Sequence, residues 1–134
     1  VRGSITMEIV RKNYDGIPMQ KGPHPQVVRA GNMLFLSGAL ARDTDAEFGD
    51  IGEQTEAIFK RIQHIVEAEG GTLNNVVKIT NFVMDNSPTA TQATQSARVK
   101  MFGDNLPAST RVRVAALSEP HLLIEIDAIA VLDN

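Results

Sequence analysis

The chain has no cysteine and no tryptophan, and its aromatics are one tyrosine and five phenylalanines. Without cysteine there can be no disulfide, thiolate metal site or cysteine nucleophile. That fits a reducing compartment, and a cytoplasmic location is expected. With so few aromatics, the core has to be built from Val, Ile, Leu, Met and Ala. No apolar run approaches the roughly 20 residues of a membrane-spanning helix. The opening stretch, Val1 to Met7, has no apolar h-region, so no signal peptide is expected. Basic excess is also missing. The formal net charge is -3 and the isoelectric point near 5.6, with no basic stripe, which argues against a nucleic-acid partner. There is no Gly-x-Ser-x-Gly elbow and no phosphate-cradling glycine loop before a helix. The three histidines, His24, His64 and His121, stand apart without metal-ligand spacing, so neither a metal nor a cofactor is expected.

What is present suits one domain. The 134 residues leave little room for two, and a chain this long buries roughly 65–70% of its unfolded surface. Residues 7–134 read as that domain. Residues 1–6 read as a cloning remnant or a disordered N-terminus, with Met7 as the native start. Glu8–Lys12 reads as a first strand. A loop follows with Gly16, Pro18, Gly22, Pro23 and Pro25, which excludes regular helix. Val27–Arg29 and Met33–Gly38 flank Gly31-Asn32 as a hairpin. The second of these strands is apolar at four successive positions and is expected to be buried on both faces. Ile51, Ile58, Ile62, Ile65 and Val66 recur at helical spacing between Asp50 and Glu69, and Gly70-Gly71 stops the helix. Val76–Met84 is a β-branched run that reads as a central strand. Ser87-Pro88 supplies an N-cap and first-turn proline for a second helix to about Phe102, with Ala90, Ala93, Ala97 and Met101 inward. Ser109–Leu117 and Leu122–Leu132 read as two last strands, expected to pair as an antiparallel hairpin around Ser118-Glu119-Pro120.

The order βββαβαββ gives an α+β fold: a six-stranded mixed sheet with two helices on one face. Nothing within the chain covers the other face. It is too apolar to leave in water, so self-association is expected.

Side chains alternate along a strand, so Arg111 and Arg113 share one face, roughly 7 Å apart. Glu125 and Asp127 share a face in the same way, among Leu122, Leu123, Ile124, Ile126, Ala128 and Ile129. A carboxylate in such surroundings is costly unless paired or used. A structural Arg–Glu pair across the hairpin is the plain explanation. An anion-binding arginine beside a water-activating glutamate is the functional one.

Pro107-Ala108-Ser109-Thr110-Arg111, then Leu117 and Ile124-Glu125-Ile126, resemble the signature of the RidA family, also called the YjgF or L-PSP family. That signature has a Pro-Ala-x-Arg-like start and a closing Ile-Glu-Ile. This chain carries one more residue between Ala108 and Arg111. Gly22-Pro23-His24-Pro25-Gln26 is similar to the family's Gly-Pro-Tyr-x-Gln segment. Gly31-Asn32 to Ser37-Gly38 resembles its Gly-Asn-x-x-x-x-Ser-Gly strand, and Gln54-Thr55 the opening of its first helix. The resemblance runs in order over nearly everything after Met7.

The resemblance implies a chorismate-mutase-like fold assembled as a homotrimer, its sheets closing a barrel with clefts between subunits. It implies hydrolysis of carboxylate-bearing enamines and imines of the 2-aminoacrylate kind to keto acids and ammonia, without metal or cofactor. Arg111 is then expected to clamp the substrate carboxylate through two charge-assisted hydrogen bonds. Glu125 is expected to orient and deprotonate water. The backbone at Ser37 and Gly38, with His24, Gln95 and Arg113, is expected to bind substrate. His24 stands where the family has tyrosine, and Gln95 and Arg98 replace an asparagine and an aromatic. Arg113, as a second cation, would favour a substrate with two carboxylates. Pro120–Glu125 resembles 2-aminomuconate deaminases, which makes such a catabolic deaminase one alternative. Others are a non-catalytic small-ligand binding protein, and the endoribonuclease or translation-inhibitor role attached to some members. The acidic balance argues against the last.

Overall fold

The structure, a computed structural model, describes residues 7–133. Residues 1–6, the expected cloning remnant or disordered terminus, lie outside the described residues, as does residue 134. The elements are β1 (Ile9–Lys12), β2 (Val27–Ala30), β3 (Met33–Ala39), α1 (Ile51–Ala68), β4 (Val76–Val83), α2 (Pro88–Phe102), β5 (Ala108–Arg113) and β6 (Ile124–Val131), with a short 3-10 turn at Leu73–Asn75. This is the expected α+β order. No helix among the described residues is long and apolar enough to cross a membrane.

Local chemistry sets the element ends. Asp50 caps α1: its carboxylate accepts from Glu53 N at 2.8 Å, and Glu53 Oε1 accepts from Asp50 N at 3.0 Å. Ser87 caps α2 through Ala90 N, with Pro88 in the first turn. The β2–β3 hairpin turns at Gly31-Asn32, where Gly31 has φ of 61°, a backbone glycine adopts without strain.

Strand order across the sheet is β1-β2-β3-β6-β4-β5. The expected hairpin between the last two strands does not form. β6 lies between β3 and β4, antiparallel to both, while β5 pairs only with β4, in parallel. The reasons are physical. β5 ends at Arg113, so the connection to β6 is far longer than a hairpin loop. The crossover through α2 returns the chain parallel to β4. β6 buries Ile124, Ile126, Ala128 and Ala130 and takes a central position, whereas polar β5 takes the edge.

Those four β6 side chains join Leu34, Leu36, Ile79 and Val83 against Ile58, Phe59, Ile62, Ile65 and Val66 of α1. Each large aliphatic buried there contributes roughly 1.5–3 kcal/mol. On α2, Ala90, Thr94 and Ala97 are buried, while Ala93 and Met101 are only partly so. β3 does not bury both faces within the chain. Leu34 and Leu36 are inward, and Phe35 stands 40% exposed on the open face, which also carries Val112 at 43% and Ile9 at 56%.

Candidate active site

Strand register decides which side chains can meet. Asn81 of β4 pairs with Ile126 of β6 and with Arg111 of β5, and both Asn81 and Ile126 are buried beneath the helices. Arg111 and Arg113 therefore share the helix-covered face. Phe82, the next residue of β4, pairs with Glu125 and Val112 on the open face, which Glu125 shares with Asp127. Arg111 and Glu125 of one chain thus point to opposite sides of the sheet. No Arg–Glu pair joins them.

On the open face, Glu125 packs over Gly38. A side-chain carbon at Gly38 would overlap Glu125 Oε2 and come within 2.8 Å of its Cδ. Glycine leaves that space to the carboxylate, which a side chain at residue 38 would push aside. The β3–β6 register shifts between Leu36 and Ala39, a bulge that takes Ser37 and Gly38 out of the regular ladder. Ser37 instead donates to the loop before β2, its N to Gln26 O at 2.9 Å and its Oγ to Pro25 O at 2.7 Å. This sets exposed His24 beside the same face. Buried Gln26 fastens that loop: its Nε2 donates to Pro18 O at 2.9 Å, and its Oε1 accepts from Tyr14 N at 2.9 Å. Buried Gln54 does the same for the approach to β6, accepting from Leu123 N and donating to His121 O, both at 2.9 Å. Burial and then the neighbouring Asp127 charge push the Glu125 carboxyl above the usual range, with Arg42 and His24 pulling it back. Among the described residues Glu125 has no ion pair or side-chain hydrogen bond.

At the sheet edge, Arg111 is held by neutral acceptors. Its Nη1 donates to Thr94 Oγ1 at 2.7 Å, its Nε to Asn86 Oδ1 at 2.9 Å, and its Nη2 to Asp85 O at 3.3 Å. Burial holds it below the ordinary arginine range, partly offset by the Asp85 charge. Arg113 is exposed at the end of β5. Gln95 is exposed on α2 beside Gln92, Ser96, Val99 and Lys100, and makes no hydrogen bond to Arg111 or Glu125.

The expected residues thus fall into two groups, with Gln95 apart from both. Sequence reasoning missed Asn86 and Thr94, the partners of Arg111, and Arg42 near Glu125. A polar threonine one turn after Ala90, on the inner face of α2, was the available signal.

His121 sits in a third cluster. Its Nε2 lies 2.8 Å from Glu47 Oε2 and 3.5 Å from Glu119 Oε2, with Phe48 stacked on the ring at 4.3 Å. The three donor atoms lie within 4.8 Å of one another. Lys21 and Arg42 already neutralise Glu119 at 3.6 and 3.5 Å, so a divalent ion would meet two cations at its rim.

Comparison with known proteins agrees with this architecture. The family model described as Endoribonuclease L-PSP matches residues 17–132. A 2-iminobutanoate/2-iminopropanoate deaminase of Salmonella typhimurium is 36% identical over 120 residues, 87% of this chain and 93% of the relative. A RutC family protein of Pyrococcus horikoshii is 35% identical over 119 residues, covering 87% and 92%. Among solved structures, a protein of unknown function from Pseudomonas aeruginosa superposes with a TM-score of 0.84 at 29% identity, covering 96% and 95%. RidA from the Antarctic bacterium Psychrobacter superposes at 0.78 and 29% identity, covering 89% and 96%.

Proposed function

Because the chain belongs to the endoribonuclease L-PSP family, we propose that it hydrolyses carboxylate-bearing enamines and imines in clefts where Arg111 of one copy faces Glu125 of another. Three copies with their open sheet faces turned inward would form a homotrimeric barrel and cover Phe35, Val112 and Ile9.

The observation that carries the reading is Glu125. It is a partly buried carboxylate with a raised pKa and no ion pair among the described residues, packed over a bulged Ser37-Gly38 backbone. Such a group is expensive unless it is used. The names of the deaminase relatives supply the substrate class.

Arg111 presents a planar fork to the substrate carboxylate. The Ser37-Gly38 backbone holds the bound water and the reacting carbon close. Glu125 takes a proton from that water as its oxygen bonds to the imine carbon and hands it to the imine nitrogen, giving a carbinolamine. The carbinol hydroxyl then gives up its proton, which Glu125 relays to nitrogen as the carbon–nitrogen bond breaks, and an α-keto acid and ammonia leave. One water is consumed and one ammonia released. His24 stands where it can stack on the substrate and offer a proton near neutral pH. Gln95 and Arg113 belong to the outer rim, where a neighbouring copy would approach.

Ammonia or keto-acid release from aminoacrylate or iminopropanoate generated in situ tests this directly. Wild-type protein is expected to accelerate release, and Arg111→Ala to abolish the acceleration. Keto-acid binding without acceleration would replace catalysis by ligand capture.

A further inference from the structure

We propose that Arg98 and Arg111 together seat a ligand with two carboxylates, making Arg98 the residue that sets a preference for dicarboxylates over monocarboxylates. The inference rests on the reading of Arg111 as a carboxylate clamp and extends it to the substrate class.

Placement on α2 comes first. Ala93 and Lys100 turn toward α1: a side-chain carbon on Gly52 would touch Ala93 Cβ at 3.4 Å, and Lys100 Nζ donates to Glu56 Oε1 at 2.9 Å. Thr94 and Arg98 lie one turn apart on the flank toward the β5 edge. Arg111 reaches that flank from β5, through Thr94 Oγ1 at 2.7 Å. Two guanidinium groups therefore approach the same small region from a helix and a strand.

Neutralisation comes second. Neither arginine has an ion pair among the described residues. Asp85 uses its carboxylate to accept from Ser87 N at 2.8 Å; it hydrogen-bonds Arg111 only through its backbone carbonyl, and its charge offsets only part of the Arg111 desolvation. Arg98 Nε is buried and has no hydrogen-bond partner among the described residues. Burial and the Arg111 charge both lower the Arg98 pKa. Two like charges, one with a buried donor unmet, are an unfavourable arrangement on their own. An anion bridging them removes the repulsion and satisfies the donor. One carboxylate occupies the Arg111 fork, and a second, a few bonds away, is needed to reach Arg98. Arg113, the second cation expected from sequence, is exposed by comparison. It discriminates less, because exposed charges are screened.

The test is calorimetric binding of two stable keto acids of equal length, α-ketoglutarate and α-ketovalerate, which differ only in a terminal carboxylate or methyl group. Wild type is expected to bind α-ketoglutarate about tenfold more tightly or better, the range of one charge-assisted hydrogen bond. Arg98→Met is expected to bind both acids equally, and Arg98→Lys to keep part of the preference. Equal binding of both acids by wild type overturns the inference, and so does a preference that survives Arg98→Met. A loss of assembly mass in Arg98→Met, with the preference intact, would assign Arg98 to the subunit contact and likewise overturn it. If wild type binds neither acid, the carboxylate-clamp reading of Arg111 itself fails, a result distinct from equal binding.

Discussion

Arg111 and Glu125 stand on opposite faces of one sheet, because Asn81 carries the register of the first and Phe82 that of the second. A single chain cannot bring the two groups to one substrate. On the proposed reading, chemistry that uses both would need a second copy whose edge meets the open face of the first.

The pH dependence of turnover follows from the surroundings of Glu125. Burial and Asp127 raise its pKa, so the acid limb of the rate profile is expected above the ordinary glutamate value of about 4.3. Asp127→Asn removes a like charge and moves that limb to lower pH. Arg42→Ala removes an opposite charge and moves it higher. Shifts of the reverse sign in a pH–rate profile would exclude Glu125 as the base.

Gly38→Ala separates activity from stability. The added methyl group collides with the flexible end of the Glu125 side chain, so the carboxylate moves aside and thermal stability changes little, by about 1 kcal/mol or less. A base displaced by about an ångström loses roughly 100-fold in kcat. Turnover and melting measured on the same sample check both halves.

Glu69 governs acid stability at the other end of the sheet. Its carboxylate is 4% exposed and accepts from Lys12 at 3.0 Å, Arg29 at 2.9 Å and Tyr14 at 2.9 Å. Burial raises its pKa, but these three donors outweigh burial and the net shift is downward. A lowered folded-state pKa means stability present above the unfolded value of about 4.3 and lost as pH falls through the folded value. Glu69→Gln is expected to lose about 2–3 kcal/mol at pH 7, less than a fully buried pair because Lys12 and Arg29 remain partly solvated, and to flatten the acid limb. Denaturant titrations at pH 7 and pH 3 read the difference, which should shrink at the lower pH.

Assembly should fail when the open face is made polar. Phe35→Asp puts a charge at the middle of that face, where the copies are expected to meet. Light scattering should give the mass of one chain instead of three, with turnover lost. A variant that keeps the wild-type mass would remove this face from the interface.

Much of this was legible in the sequence. Asp50 and Glu53, Ser87-Pro88 and Gly31-Asn32 mark local events, and local events fix element ends. Alternation along a strand also showed that Arg111 goes with Arg113 and Glu125 with Asp127. It could not show that the two pairs face opposite ways. That depends on β6 inserting between β3 and β4, a pairing made across most of the chain with no nearby residue to announce it. The mistaken hairpin between the last strands has the same origin, and so do the missed partners of Arg111, since Asn86 and Thr94 reach it from another element.

The most direct measurement mixes two inactive variants. Arg111→Ala and Glu125→Gln are each expected to lose turnover. When they are unfolded together in equal amounts and reassembled, about a quarter of the clefts in random cyclic trimers receive an intact Arg111 from one copy and an intact Glu125 from another. Recovery of about a quarter of the wild-type rate is predicted, against none for either variant refolded alone. A mixture as inactive as its components, at the wild-type assembly mass, would contradict a site shared between copies.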